Sequence, residues 1–88
     1  RDDAAITFGN SYATLHVARL DAGSAVQVPD APYGHVFVTR GQADFEGSGP
    51  LYTGDAVRLT ATGGQRLTAA DDGAELLIWE MHTIAVNV

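Results

Sequence analysis

The chain has 88 residues, no cysteine and a formal net charge of −6. This length allows one small domain, and the lack of cysteine excludes a disulfide framework, a thiolate metal site and a cysteine nucleophile. The five basic residues are scattered arginines, which argues against nucleic-acid binding, and no apolar run or signal peptide points to a membrane, which favours a cytoplasmic location.

Glycine-containing turns divide the chain into short segments rich in β-branched and aliphatic residues. Several segments alternate in polarity, as in Val36 and Val38 against Phe37 and Thr39. This period of two, with regular turns, predicts an all-β fold, and no glycine-free helical stripe competes with it. In chain order the predicted strands are Ala5–Phe8, Ala13–Leu20, Ala25–Val28, His35–Thr39, Ala43–Glu46, Ala56–Thr60, Arg66–Ala70 and Glu75–Met81.

Two tight hairpins are predicted, at Arg40-Gly41 and at Asp71-Asp72-Gly73, because glycine can adopt the positive φ that such turns need. After the second of them, Leu76–Trp79 is continuously apolar. A continuous apolar strand is typical of one that is covered on both faces. This predicts a partner surface that includes Leu76 and Ile78.

The C-terminal residues 82–88 alternate in polarity and are predicted to form a tail strand. One interpretation is a last strand that closes this barrel's own edge. The other is a strand added to a neighbouring sheet, with Ile84, Val86 and Val88 at the interface.

Four segments carry a family resemblance: Thr14–Leu20, Gly34–Ala43, Leu51–Leu59 and Leu67–Glu80. The middle two resemble the central part of a cupin. The outer two resemble the C-terminal domain of pirins and pirin-related quercetinases. The resemblance implies a cupin-type double-stranded β-helix (a jelly-roll barrel), with residues 1–88 as one small domain and as the second of two tandem cupins. The first residue is Arg1 rather than methionine, which fits a fragment of such a parent.

Catalytic cupins bind a metal through three histidines and a glutamate. In this sequence the corresponding regions contain Val28–Pro32, Tyr33-Gly34 and Gln65, none of which supplies those ligands. The resemblance therefore implies no cofactor in this domain, with iron, nickel, copper or manganese expected only in a missing N-terminal cupin.

Three histidines, His16, His35 and His82, are the remaining candidate metal ligands. Their spacing matches no ligand motif, so surface or half-buried histidines are the favoured interpretation. Asp55, after Gly54, is expected to bind the backbone of its own turn, and not to act as a catalytic acid or base.

Four aromatic residues, Tyr12, Phe37, Tyr52 and Trp79, are candidates for the wall of an apolar pocket in the barrel. Core packing is the favoured interpretation for all of them. No serine lies in a nucleophile elbow and no phosphate-binding loop is present.

The sequence thus predicts a metal-free, non-catalytic C-terminal cupin domain that acts as a structural and interaction module. Its expected partner is the N-terminal cupin of the same parent, with a homodimer forming when the domain is isolated. The parent is expected to be a quercetin-type dioxygenase or a redox-linked regulator. The alternative is a stand-alone small cupin that binds an apolar small molecule or an atypical metal ion in its barrel.

Overall fold

The structure is a computed structural model that describes residues 4–9 and 13–82; for residues 4–9 and Thr62 it describes the backbone alone. The described residues form seven strands, and the all-β prediction is confirmed. No helix in this part of the chain is long and apolar enough to span a membrane. The strands are β1 (Ala4–Gly9), β2 (Ala13–Leu20), β3 (Ala25–Gln27), β4 (Ala31–Phe45), β5 (Gly49–Tyr52), β6 (Ala56–Thr62) and β7 (Arg66–Met81).

The two longest strands, β4 and β7, organise the sheet. They pair with each other in antiparallel orientation along most of their length. The second half of β7 also pairs with β2, which pairs with β1, and the first half of β4 pairs with β6. The opposite halves carry the short strands, with β3 on β7 and β5 on β4. Each long strand thus belongs to two layers that enclose one core.

The hairpins predicted at Arg40-Gly41 and Asp71-Asp72-Gly73 are not formed, because both sites lie inside continuous strands. Gly41 and Gly73 do adopt positive φ, +78° and +76°. The positive φ accompanies a shift in the β4–β7 register between Gly41 and Ala43. These glycines bend the strands from one layer to the other and do not reverse the chain.

The core is built from alternate residues of both layers. Val36, Val38, Leu67 and Leu76 are fully buried, and Ile78 is 1% exposed. They pack with the other buried residues into one cluster, which also contains Ala18, Leu20, Val28, Ala43, Phe45, Leu51, Ala69 and Ala74.

The alternation fixes which side of β7 faces inward. Leu76 and Ile78 lie in the chain's own core, whereas Leu77 is half-buried and Trp79 is 37% exposed on the other side. Leu76 and Ile78, which were predicted as interface residues, are therefore core residues of this domain, and the outward side of β7 carries Leu77 and Trp79. The predicted interface residues Ile84, Val86 and Val88 lie outside the described residues.

Candidate functional site

A glutamate and two histidines meet where β2 and β7 run side by side. Nε2 of His16 lies 2.7 Å from Oε1 of Glu80, and Nε2 of His82 lies 3.0 Å from Oε2 of the same carboxylate. An ionised carboxylate only accepts hydrogen bonds, so each imidazole donates its Nε2–H to one oxygen. His16 and Glu80 are half-buried and His82 is exposed.

The strand register brings these side chains to one face of the sheet. His16 is paired with Ile78, and Glu80 is the next residue on β7 that points to the same side. Ile78 is a core residue, so His16 and Glu80 continue the inner face of the barrel towards its open end. We call this group the carboxylate cluster: His16, Glu80 and His82.

Hydrogen bonding controls the charge of the cluster. The bond from His16 is the main cause that lowers the pKa of Glu80 below its usual value, and the bond from His82 adds to it. Burial acts in the opposite direction but is outweighed. Glu80 is thus held as an anion, unlike a catalytic acid, whose pKa is raised towards neutrality.

The metal centre of catalytic cupins does not fit this site. Within residues 13–82, no group of three or more histidine, aspartate or glutamate side chains is placed to hold a metal ion. In the carboxylate cluster, both imidazole Nε2 atoms are directed at Glu80. The third candidate, His35, lies on β4 opposite Trp79 and points to the outer side of the sheet.

A cleft opens beside His16 at the mouth of the barrel. Its volume is about 440 Å³, and Ala18, Val26, Val28 and Ile78 form its apolar wall. Gln27, Pro29, Asp30 and Gly64 complete the lining. This volume is in the range of small-molecule sites, which are mostly apolar with a few polar groups.

The aromatic residues predicted to line a pocket do not surround the cleft beside His16. Phe37 is half-buried on the outer side of β4, and Tyr52 and Trp79 are 54% and 37% exposed. None of the three lines the cleft beside His16, because their positions in the strands direct them away from the interior. Tyr12 lies outside the described residues.

A polar network lies near the opposite end of the β2–β7 ladder. Thr39 donates its hydroxyl to Glu75, 2.9 Å from Oε1 and 3.0 Å from the backbone oxygen, and Arg19 lies 3.3 Å from Oε2. These contacts, that from Thr39 first, lower the pKa of Glu75. They border an open groove of about 610 Å³ that also contains Arg40, Asp71 and Asp72. The groove is lined by charges of both signs, from the two arginines and the carboxylates of Asp21, Asp71, Asp72 and Glu75.

The turn at Gly54-Asp55 is formed as expected. Oδ2 of Asp55 accepts the backbone N–H of Tyr52 at 2.8 Å. This bond closes the turn between β5 and β6, which is the role that the sequence predicted for Asp55.

The outer side of the barrel carries an apolar surface across β2, β7 and β4. Paired residues of neighbouring strands point to the same side. Val17, Leu77 and Phe37 form one cross-strand row, and Leu15, Trp79 and His35 form the next. We call this surface the outer face: Leu15, Val17, Phe37, Leu77, Trp79 and Met81, with Tyr33 and His35 beside them.

The sequence analysis did not find the carboxylate cluster. Glu80 is 64 residues from His16 in the chain, so only the pairing of β2 with β7 brings them together. The one local signal is the spacing of Glu80 and His82, two residues apart, which is the interval between side chains on one side of a strand, although His82 lies just beyond the end of β7.

Comparison with known proteins gives relatives and a fold. No protein-family model matches the chain. The chain is 51% identical over 80 residues to proteins of Mycobacterium tuberculosis and Mycobacterium bovis that bear the name "Putative quercetin 2,3-dioxygenase". The match covers 91% of this chain and 32% of each relative, and it lies in the relative's C-terminal part. This chain therefore spans less than half the length of the curated relatives it matches.

Solved structures show the same fold at low sequence identity. A cupin domain from an XRE-family transcriptional regulator of Enterobacter cloacae superimposes with a TM-score of 0.75 and 14% identity over 97% of this chain and all of that domain. A sugar phosphate isomerase from a cupin superfamily, from Silicibacter pomeroyi, superimposes with a TM-score of 0.75 and 20% identity. The superposition covers 93% of this chain and 60% of that chain. A salicylate 1,2-dioxygenase variant from Pseudoaminobacter salicylatoxidans has a TM-score of 0.70 and 19% identity, over 89% of this chain and 24% of that chain. The predicted cupin-type jelly roll is confirmed.

Proposed function

Because the chain is a cupin-type domain related to quercetin dioxygenase-like proteins, we propose that it is the non-catalytic, metal-free C-terminal cupin of a longer pirin-like protein. Its role is structural: it packs against a preceding cupin that carries the metal and the chemistry. The site residues that support this are His16 and Glu80. The imidazole of His16 is hydrogen-bonded to the carboxylate of Glu80. The neighbouring inward-facing positions are occupied by the apolar core residues Ile78 and Val36.

The relatives support the parent's proposed activity. They bear the name of a quercetin 2,3-dioxygenase, and the part that matches this chain is a C-terminal third. If the full protein is a cytoplasmic dioxygenase whose metal is bound by the preceding domain, this chain takes no direct part in the reaction. The chain would then contribute stability and shape, through the surface it buries.

Metal analysis of two samples tests the proposal. One sample is the 88-residue chain, and the other is the longer polypeptide, meaning the two-cupin protein of which this chain is proposed to be the C-terminal part. Both are purified without added metal, and iron, nickel, copper, manganese and zinc are measured by elemental mass spectrometry. The expected result is substoichiometric metal in the chain and about one equivalent in the longer polypeptide. Near-equimolar transition metal in the chain would overturn the proposal. The variant His16→Gln would then show whether the carboxylate cluster binds it.

The cleft beside His16 favours a second candidate function, the binding of a small, mainly apolar molecule at the barrel mouth. Its wall of Ala18, Val26, Val28 and Ile78 offers apolar contact, and His16 is a polar group at its edge. Titration with neutral aromatic fragments, followed by two-dimensional NMR, tests this candidate. Saturable shifts confined to the cleft, and abolished by Ala18→Leu, are expected if it binds; shifts that are scattered or absent would dismiss it.

A further inference from the structure

We infer that the outer face is the surface through which this domain docks, and that its occupant is the cupin domain that precedes it in the same polypeptide. This inference rests on the proposed function and specifies the contact that it requires. Trp79 lies at the centre of the docking surface. The face is on the side of β7 opposite to Leu76 and Ile78, so docking leaves the barrel core unchanged.

The composition of the outer face is that of an interface core. Val17, Leu77 and Phe37 form an uninterrupted apolar row across three strands. Trp79, in the adjoining row, exposes 37% of its surface. Tryptophan is enriched among the few residues that dominate binding energy, and it is found near the centre of interfaces.

Polar residues border this surface where an interface rim would lie. The Arg19–Glu75 ion pair, with Thr39, crosses β2, β7 and β4 at one end of the apolar rows. On the β6 side, exposed Arg58 is paired with His35. An apolar centre with a polar, partly solvated border is the usual anatomy of protein interfaces.

The size of the relatives identifies the occupant. The matching segment is 32% of each relative and lies in its C-terminal part, so most of the relative's chain precedes the segment. A covalently linked domain is present at a high effective concentration, which a second copy of the chain does not share. The preceding domain therefore covers the outer face in the full polypeptide.

Oxidative footprinting tests the inference with an internal control. Hydroxyl radicals modify exposed aromatic side chains, and mass spectrometry of the peptides reads Trp79 and Tyr52 separately. Tyr52 is exposed on β5, away from the outer face. Between the 88-residue chain and the longer polypeptide, we expect Trp79 modification to fall about tenfold and Tyr52 modification to stay unchanged, as for a residue at an interface centre.

A pair of matched variants gives a second readout. Trp79→Glu and Tyr52→Glu each place a charge at an exposed aromatic position. Trp79→Glu is expected to lower the melting temperature of the longer polypeptide by more than that of the 88-residue chain, because the longer polypeptide also loses the docking contact. Tyr52→Glu is expected to change neither.

Three outcomes would overturn the inference. The first is a Trp79 as reactive in the longer polypeptide as in the 88-residue chain. The second is protection of Tyr52 instead, which assigns docking to another face. The third is a concentration-dependent protection of Trp79 in the 88-residue chain with a doubled mass, which assigns the face to a second copy. The metal analysis tests the proposed function independently of the docking face. If the 88-residue chain is metal-free and Trp79 stays reactive in the longer polypeptide, only the docking face is overturned.

Discussion

Gly41 and Gly73 approach each other so closely that a Cβ atom on Gly41 would overlap the backbone oxygen of Gly73. The contact lies where β4 and β7 bend between the two layers of the barrel. Both residues have positive φ, so this bend depends on glycine for its conformation and for its space.

Substitution of Gly41 tests that dependence. Gly41→Ala is expected to destabilise the chain by more than ~2 kcal/mol, because it combines a backbone overlap with a strained φ. Gly47→Ala is the matched control, since Gly47 has φ +86° but no atom within 4 Å of the added Cβ. Its expected cost is about 1 kcal/mol, from the left-handed conformation alone. Urea denaturation measures both, and equal costs would show that the close approach is not needed.

The stability that Glu80 contributes is expected to depend on pH. The histidine bonds lower its pKa in the folded chain. A lowered pKa means that the contribution is fully present above the unfolded value, near 4.5, and is lost as the pH falls through the folded value. The difference in unfolding free energy between wild type and Glu80→Gln should therefore be positive at neutral pH and decline in acid. A difference that is independent of pH would contradict this assignment.

In the middle of β7, the Thr39 hydroxyl and the Arg19 guanidinium both lower the pKa of Glu75. The Arg19 side chain is 65% exposed, so salt should screen its effect, whereas the hydroxyl bond should persist. In about 1 M salt, Thr39→Val is expected to raise the Glu75 pKa and Arg19→Met to change it little. Carboxyl NMR titration measures both. A larger effect of Arg19→Met at high salt would show that charge, and not the hydroxyl bond, controls this group.

Substitution of two neighbouring leucines tests which side of β7 faces the core. Leu76 is fully buried and Leu77 is half-buried on the outer face. Leu76→Ala should cost about 2–5 kcal/mol, the usual range for a core leucine, and Leu77→Ala clearly less. Thermal or urea denaturation of the 88-residue chain gives the order. The reverse order would mean that the strand presents its other side to the core.

The sequence predicted the fold better than the site. Alternation of apolar and polar residues is a local property, and it correctly marked segments such as Val36–Val38 as strand. Leu76–Trp79 is apolar at every position, so its pattern could not indicate which alternate residues face inward. Gly41 and Gly73 were assigned to hairpins because a positive φ serves a strand bend as well as a reversal.

The contacts of the site depend on partners that are distant in sequence. Asp55 was interpreted correctly because its bond to Tyr52 spans three residues. His16 and Glu80 meet through the β2–β7 register, which no pattern within either strand determines. Among the three candidate histidines, His35 is separated from His16 by the β4–β7 register, which pairs it with the outward-facing Trp79.

The position of β7 in the chain has a consequence for folding. This strand joins β2 and β3 to β4, yet it is the last of the described strands to be synthesised. Before Arg66–Met81 has emerged, β4 can pair with β5 and β6, and β1 with β2, but these pieces have no ladder to connect them. Connection of these pieces through β7 is therefore a late and non-local event, of the kind that slows folding. Until then the nascent chain leaves strand edges unpaired, which makes it vulnerable to aggregation and to proteolysis.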